Sequence, residues 1–381
     1  MARLNLPYHR LFILGAGFSR PAGLPIAEEL MQSVRGDVRQ HFRGFGWDGA
    51  LEEEIEEWRS LYPGQCLDLE RVLAYSHRKH YLRLRGSEEY FAHGSRSIVE
   101  VRKTIQRTLI DATPANTTSL HEDFANRLTP NDVILTFNYD TVLEQALDDV
   151  GKLYSLTPEW WIRNGTSGTS PLYVDVLKLH GSIDWYDRHY HDDAMRYHAK
   201  QRTFVPDRDP IFGPNPTVPS EPLAHAPTGE FGSHILPRVF RIPNHRKYFP
   251  IEGGVGSYIV PFILPPAHDK LLGFDPIVDL WWSLHHNLDV FSSIVIIGYS
   301  FPSQDSYAYE ALGYLLSTYQ RGGNATGWEQ RRVPIQLITL AESSENVLKN
   351  VPFLDPDNTL IWRDGFSLDS LRWLDWGDGT S

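Results

Sequence analysis

The stretch Asp132-Val133-Ile134-Leu135-Thr136-Phe137-Asn138-Tyr139-Asp140 restricts the fold of this chain more than any other. An apolar, β-branched run breaks at Asn138 and Asp140, and a helical pattern of Val142, Leu143, Ala146, Leu147 and Val150 follows at once. A strand covered on both faces carries apolar side chains at consecutive positions, so this reads as a buried parallel strand running into a helix. In an open α/β sheet, residues just past the carboxyl end of such a strand line the ligand crevice. Asn138 and Asp140 are therefore candidate site residues. Capping of the following helix accounts for one polar residue near Asp140, and not for both.

Two further strands end in the same manner. Leu11–Leu14 runs into Gly15-Ala16-Gly17-Phe18-Ser19-Arg20, and apolar residues at helical spacing (Ile26, Leu30, Val34, Val38) come after Pro25. Strand, glycine turn and helix is the layout of a nucleotide-phosphate site, where backbone N–H groups approach the anion. The spacing is neither the G-x-G-x-x-G fingerprint nor a P-loop. Gly15, Ala16, Gly17 and Ser19 thus stand as binding candidates by their place in the first βα unit, with a plain turn as the alternative. Leu172–Leu179 ends in His180-Gly181-Ser182-Ile183-Asp184-Trp185. Its position at a strand end favours a functional His180 over a purely structural one.

The carboxyl half adds two more strand ends. Ile294–Ile297 leads into Gly298-Tyr299-Ser300-Phe301-Pro302, a turn that suits either the far half of a dinucleotide or a tight βα connection. Ile335–Leu340 is followed by Glu342, which either accepts hydrogen bonds from ribose hydroxyls or caps a helix starting at 343 or 344.

Residues 41–130 read as helical, with stripes at Leu69, Val72 and Leu73, at Ile98, Val101, Ile105 and Leu109, and at Leu120, Phe124 and Leu128. That is too long for a simple crossover and predicts a helical subdomain inserted into the fold. Glu52–Glu57 reads as a solvated helix face. From 186 to 256 prolines, histidines and charges alternate without a period, which predicts a long irregular insertion. A strand over Tyr258–Leu264, a helix through Ile277–Leu288 and a last strand near Leu360–Trp362 complete the reading. The expected fold is α/β, a Rossmann-like doubly wound and mainly parallel sheet. It forms one catalytic domain over 1–381, interrupted at 41–130 and 186–256.

Composition excludes several classes. A formal net charge of -12 argues against nucleic-acid binding by bulk electrostatics. The single cysteine, Cys66, excludes an internal disulfide and a four-cysteine zinc site. The run His189-x-His191-Asp192-Asp193 lacks metal-ligand spacing, so no metal is expected. Nothing approaches the roughly 20 apolar residues of a membrane span, and the apolar run at 11–14 is too short for a signal peptide. A cytoplasmic location is expected.

Taken together, Gly15-Ala16-Gly17-Phe18-Ser19 with Gly23-Leu24-Pro25, Thr136-Phe137-Asn138-Tyr139-Asp140, His180-Gly181 and Gly298-Tyr299-Ser300 resemble the NAD site of the sirtuin family in order and spacing. Asp68-Leu69-Glu70-Arg71-Val72-Leu73 and Gly298–Asp305 are similar still more to bacterial sirtuin-like proteins of anti-phage defence. The resemblance runs from residue 11 to 345. Two departures separate the chain from protein-deacylating sirtuins. Their paired zinc cysteines are missing, with 186–256 in place of the zinc module, and the Asp-Phe-Arg after Gly-x-Pro is replaced by Ile26-Ala27-Glu28.

The resemblance implies NAD as a substrate, hydrolysed to ADP-ribose and nicotinamide by an abortive-infection effector. The alternatives are a sensor or regulatory subunit that binds NAD or ADP-ribose without cleaving it and, less well supported, a protein deacylase. It implies that Asn138 orients water or ribose hydroxyls, that Asp140 binds the nicotinamide carboxamide and that His180 acts as general base. Gly15, Ala16, Gly17, Ser19, Gly298 and Ser300 would hold phosphates and ribose. A homo-oligomer and a HerA-type ATPase partner are implied by the family alone.

Overall fold

The computed structural model describes residues 9–41, 50–65, 67, 69–82, 84, 96–130, 132–156, 173–202, 209–223, 239–248, 259–264, 277, 280–281, 291–302, 305–321 and 332–376. The chain divides into two compact units. The first comprises Met1–Leu24, Thr113–Leu179 and Phe274–Ser381, and the second Pro25–Ala112 and His180–Gly273.

The first unit is built on a parallel sheet of seven strands: β1 (His9–Leu14), β2 (Asp132–Thr136), β3 (Tyr154–Ser155), β4 (Val174–Lys178), β9 (Phe291–Ile297), β10 (Ile335–Ile338) and β11 (Thr359–Trp362). Their order is β11-β10-β9-β1-β2-β4-β3, and every pair is parallel. Leaving out the two-residue edge strand β3, this is the doubly wound order in which the chain winds outward from β1 on one side, then returns and winds outward on the other. The expected α/β class is the one observed. The apolar runs have the predicted cause, since all five residues of both β2 and β4 are buried.

The strands are followed by α1 (Ala16–Ser19) after β1, α7 (Val142–Asp149) after β2, α10 (Ser306–Arg321) after β9 and α11 (Ala341–Asn350) after β10. Helix α6 (Ser119–Arg127) also belongs to this unit. Its Phe124 packs edge-on against Phe12 and Phe18, with ring centroids 5.4 and 5.1 Å apart. A last helix, α12 (Leu368–Trp373), starts with a capping box at Ser367 and Ser370.

The second unit combines α2 (Ala27–His41), α3 (Ala50–Leu61), α4 (Leu69–Tyr81) and α5 (Arg96–Ala112) with an antiparallel sheet of order β6-β7-β5-β8. These strands are β5 (Gly181–Asp187), β6 (Glu221–Pro222), β7 (Val239–Arg241) and β8 (Pro261–Ile263). Helix α5 lies against the sheet, and its Gln106 amide donates 2.5 Å bonds to the Ile183 carbonyl and the Tyr186 hydroxyl. The helices expected between 41 and 130 are present, but α2 to α5 group with the segment after His180, whereas α6 groups with the parallel sheet. Glu52–Glu57 is only partly a solvated face. Glu54 is buried and accepts from the Ser76 hydroxyl, and Glu57 pairs with Lys79.

The described residues of 186–256 include regular elements. Among them are the end of β5, a helix α8 (Arg188–Gln201), β6, β7 and the short helix α9 (His245–Tyr248). Tyr186, Ile211, Val218, Ile242 and Ile259 form a small core there, with Phe212 and Tyr248 packed against it. Aromatic and aliphatic residues far apart in sequence supply the burial, so no local period announces it. The strand at Tyr258–Leu264 appears as β8. Beyond the buried Ile277, Leu280 and Trp281, the helix expected through Leu288 lies outside the described residues, as do Cys66 and Asp68. No helix among the described residues is long and apolar enough to cross a membrane.

Candidate active site

Strand β1 lies between β2 and β9, where the direction of winding reverses. At such a reversal the connections leave on opposite faces of the sheet and open a crevice at the carboxyl ends. The residues just past these ends are Gly15, Phe137 and Gly298, and past β10, on the far side of β9, stands the segment leading to Glu342. Main-chain bonds carry the register beyond the strands. Gly15 N–H donates to the Ile297 carbonyl at 3.0 Å, Phe137 N–H to Leu14 at 3.0 Å, and Gly298 N–H to Ile338 at 2.9 Å.

The two glycine turns are packed on each other. Gly17 N–H donates to the Gly298 carbonyl at 3.1 Å. A Cβ at Gly17 would lie 2.6 Å from the Gly298 Cα, and one at Gly298 would lie 2.3 Å from the Gly17 Cα. Gly298 also has φ 62°, in the left-handed region that side chains disfavour. The N–H groups of Gly15 and Gly17 serve the protein's own backbone, so the close approach that requires glycine here is turn against turn. Of the residues expected to hold phosphate and ribose, Ala16, Ser300 and Glu342 are exposed. Glu342 sits in the first turn of α11, which starts at Ala341, earlier than expected, with Leu340 at its N-cap.

Ser19 is buried beneath Asn138. The Asn138 Nδ2 amide donates to the Gly15 carbonyl at 3.0 Å and to the Ser19 hydroxyl at 3.1 Å. A carbonyl can only accept, so the Gly15 contact fixes which end of the Asn138 amide is nitrogen. Both N–H groups are thereby spent on the β1 turn, and Oδ1 is the atom with no bond among the described residues. Asp140 is buried, with Oδ1 accepting from the Val142 N–H at 3.0 Å, so it also steadies the start of α7. Phe137 stacks on Tyr299 with ring centroids 4.2 Å apart and planes 15° from parallel, tying the β2 and β9 turns together. Phe301, two residues beyond Tyr299, is held at φ 53° while buried. A left-handed phenylalanine costs on the order of 1–3 kcal/mol and is tolerated where surrounding packing imposes it.

Nothing in the sequence pattern pointed to His121. It is fully buried in α6, and its ring Nε2 lies 2.9 Å from the Phe18 carbonyl. Because that carbonyl only accepts, Nε2 carries the proton, and Nδ1 accepts from the Thr118 hydroxyl at 2.5 Å. Burial holds the imidazole below its ordinary value of 6.5, against the opposing influence of the Phe18 carbonyl and the Asp140 carboxylate. A depressed folded-state value contributes stability that is complete above 6.5 and is lost as pH falls through that folded value. The melting temperature of the wild type should therefore drop from about pH 7.5 to about pH 5 more steeply than that of His121→Asn. Parallel curves for the two proteins would contradict this assignment.

His180 belongs to the second unit and is its first residue after the parallel sheet. The preceding residue, Leu179, donates its N–H to the Thr136 carbonyl at 3.1 Å. His180 itself is buried, and its carbonyl accepts from Leu264 N–H at 2.9 Å. The turn then needs glycine, because Gly181 has φ 77° and a Cβ there would stand 2.0 Å from the Phe262 carbonyl oxygen. Among the described residues, no group of three or more His, Cys, Asp or Glu side chains could hold a metal ion.

Residues 132–204, from the start of β2 through α8, match the family model of a SIR2-like domain. That segment contains Asn138, Asp140 and His180. Among solved structures, the chain is similar to a crystal structure of Sir2 in complex with the inhibitor EX-527, 2'-O-acetyl-ADP-ribose and deacetylated p53 peptide. The identity is 12%, the coverage 98% of this chain and 94% of that one, and the TM-score 0.38. A superposition that loose fixes no residue correspondence. No curated protein matches the chain.

Proposed function

We propose that the chain is a sirtuin-like NAD+ hydrolase that cleaves NAD to ADP-ribose and nicotinamide. The observation that carries the reading is the disposition of Asn138. Its two N–H groups are engaged at the end of β1, leaving a carbonyl oxygen at the winding reversal of a doubly wound sheet. A water that is to attack through its oxygen must be held by its hydrogens, and an acceptor such as Oδ1 does this. The SIR2-like match over 132–204 and the four ordered motifs support the same chemistry.

In the proposed step, the water oxygen bonds to the anomeric carbon of the nicotinamide ribose. The carbon–nitrogen bond breaks, its electron pair returns to the pyridine ring and neutralises it, and a proton leaves the water. Asn138 orients the water, His180 takes the proton, and the Asp140 carboxylate stabilises the positive charge that builds on the ribose while meeting the carboxamide. In this reading the exposed Ala16, Ser300 and Glu342 meet the rest of the dinucleotide, and Gly15, Gly17, Ser19 and Gly298 shape the turns that carry them. The family resemblance extends this to an abortive-infection role, in a homo-oligomer with a HerA-type ATPase as partner.

The test is NAD consumption by the purified chain and by His180→Ala, with the product identified. Loss of turnover in a variant that still folds is the expected result. Full activity in His180→Ala would overturn the mechanism, and tight NAD binding by a wild type that forms no product would favour the sensor.

A further inference from the structure

Lys178 is the last residue of β4 and lies in register with Thr136, the last residue of β2. The adjacent strand β2 is apolar through Val133, Ile134 and Leu135, and a leucine or methionine would fill the position without desolvating a charge. The chain instead buries an ammonium group there: Lys178 and Glu144 have side chains only 1% and 2% exposed. Lys178 Nζ donates to Glu144 Oε1 at 2.6 Å and to the main-chain carbonyl of Asp140 at 2.5 Å. Taking such a pair out of water carries a desolvation penalty on each ion, and an apolar pair of similar volume is often at least as stable. Stability alone therefore does not account for it.

We propose that Lys178 is a positioning residue for Asp140. The segment Phe137–Thr141 between β2 and α7 must present two polar side chains while belonging to neither element. It is secured at its start by the Phe137 N–H on Leu14 and the Asn138 N–H on the Thr136 hydroxyl, 3.2 Å away. At its far end, Lys178 reaches across from the adjacent strand and fixes the main chain of Asp140. Glu144, in the first turn of α7, acts as the counter-ion. The ammonium group is thus neutralised by Glu144 and binds the Asp140 carbonyl, which leaves the Asp140 carboxylate to act on a ligand. The arrangement supplies an anchor without supplying a competing partner for the reactive group.

This rests on the reading of Asp140 as the residue that meets the nicotinamide end of NAD. The experiment compares wild type, Lys178→Met, Glu144→Leu and the double variant Lys178→Met/Glu144→Leu. Melting temperature, ADP-ribose affinity, and kcat and KM for NAD are measured for each. The single variants lose stability, because each leaves one buried charge without its counter-ion. The double variant regains the wild-type melting temperature and ADP-ribose affinity but loses about a hundredfold in kcat/KM, the scale of a 1 Å misplacement of a reacting group. Wild-type kcat and KM in a double variant of restored stability would overturn the proposal. If the wild type itself neither binds nor cleaves NAD, the functional reading fails separately. The crystal structure of the double variant then decides: a displaced Asp140 supports the anchoring role, and an unmoved one refutes it.

Discussion

Asp132→Ala is expected to destabilise the chain by about 3–5 kcal/mol, the range for breaking one side of a buried ion pair. Arg10 and Asp132 face each other at the amino ends of β1 and β2, opposite the candidate site. They meet fork to fork, with Nε to Oδ1 at 2.7 Å and Nη2 to Oδ2 at 2.5 Å. The same carboxylate accepts from the Thr129 N–H at 2.5 Å and the Thr129 hydroxyl at 3.2 Å. Arg10 also donates to the carbonyls of Trp376 and Arg127, and its guanidinium lies over the Trp376 ring, 5.1 Å from the centroid.

Removing the carboxylate leaves the buried Arg10 cation without this counter-ion. Asp132→Asn should be nearly as damaging, because its one acceptor cannot serve both arms of the fork and its amide opposes an Arg10 N–H. The double variant Arg10→Met/Asp132→Leu should recover most of the loss, since no charge is then stranded. Denaturant midpoints of the four proteins measure this. A shift of under about 1 kcal/mol for Asp132→Ala would place the pair among exposed ion pairs of little net value. NAD turnover by the folded fraction of Asp132→Ala should match the wild type, as the change lies at the other end of the strands.

The parallel sheet was legible because its strands are covered on both faces and so read as unbroken apolar runs, as in Leu11–Leu14 and Val133–Leu135. The antiparallel sheet was not. Gly181-Ser182-Ile183-Asp184-Trp185-Tyr186-Asp187 is wholly buried as β5, yet polar residues alternate through it. Asp184 is paired with Arg241, 57 positions away, at 2.9 Å. Helix α8 was missed for a related reason, since its buried His191 packs near Phe212 and reads locally as one more polar residue.

At the site, Asn138 and Asp140 were legible as strand-end residues, but what holds them was not. A lysine closing an apolar run looks like a strand edge meeting water, and only the pairing of β4 with β2 reveals Lys178 as an internal anchor. Gly17 and Gly298 likewise read as independent turns, and their mutual contact emerges only when β1 and β9 are neighbours.

Asn138→Ala and Asn138→Asp should both abolish NAD turnover, with losses of about 10²–10³-fold or more, but they should fail in different ways. Alanine removes Oδ1 and both donors while leaving the turns to be held by the Gly15–Ile297 and Gly17–Gly298 main-chain bonds. Its melting temperature should fall only modestly. Aspartate keeps an oxygen where the water is to be held, but it sets a carboxylate against the Gly15 carbonyl at the 3.0 Å now spanned by a donor. That contact is repulsive in a partly buried place, so the side chain must rotate away or the turn must move, and stability falls as well. Circular dichroism melts beside product analysis separate the two effects. An active Asn138→Asp would mean that the oxygen alone suffices and that the bonds to Gly15 and Ser19 do not orient it. The mechanism would then lose the observation on which it most depends.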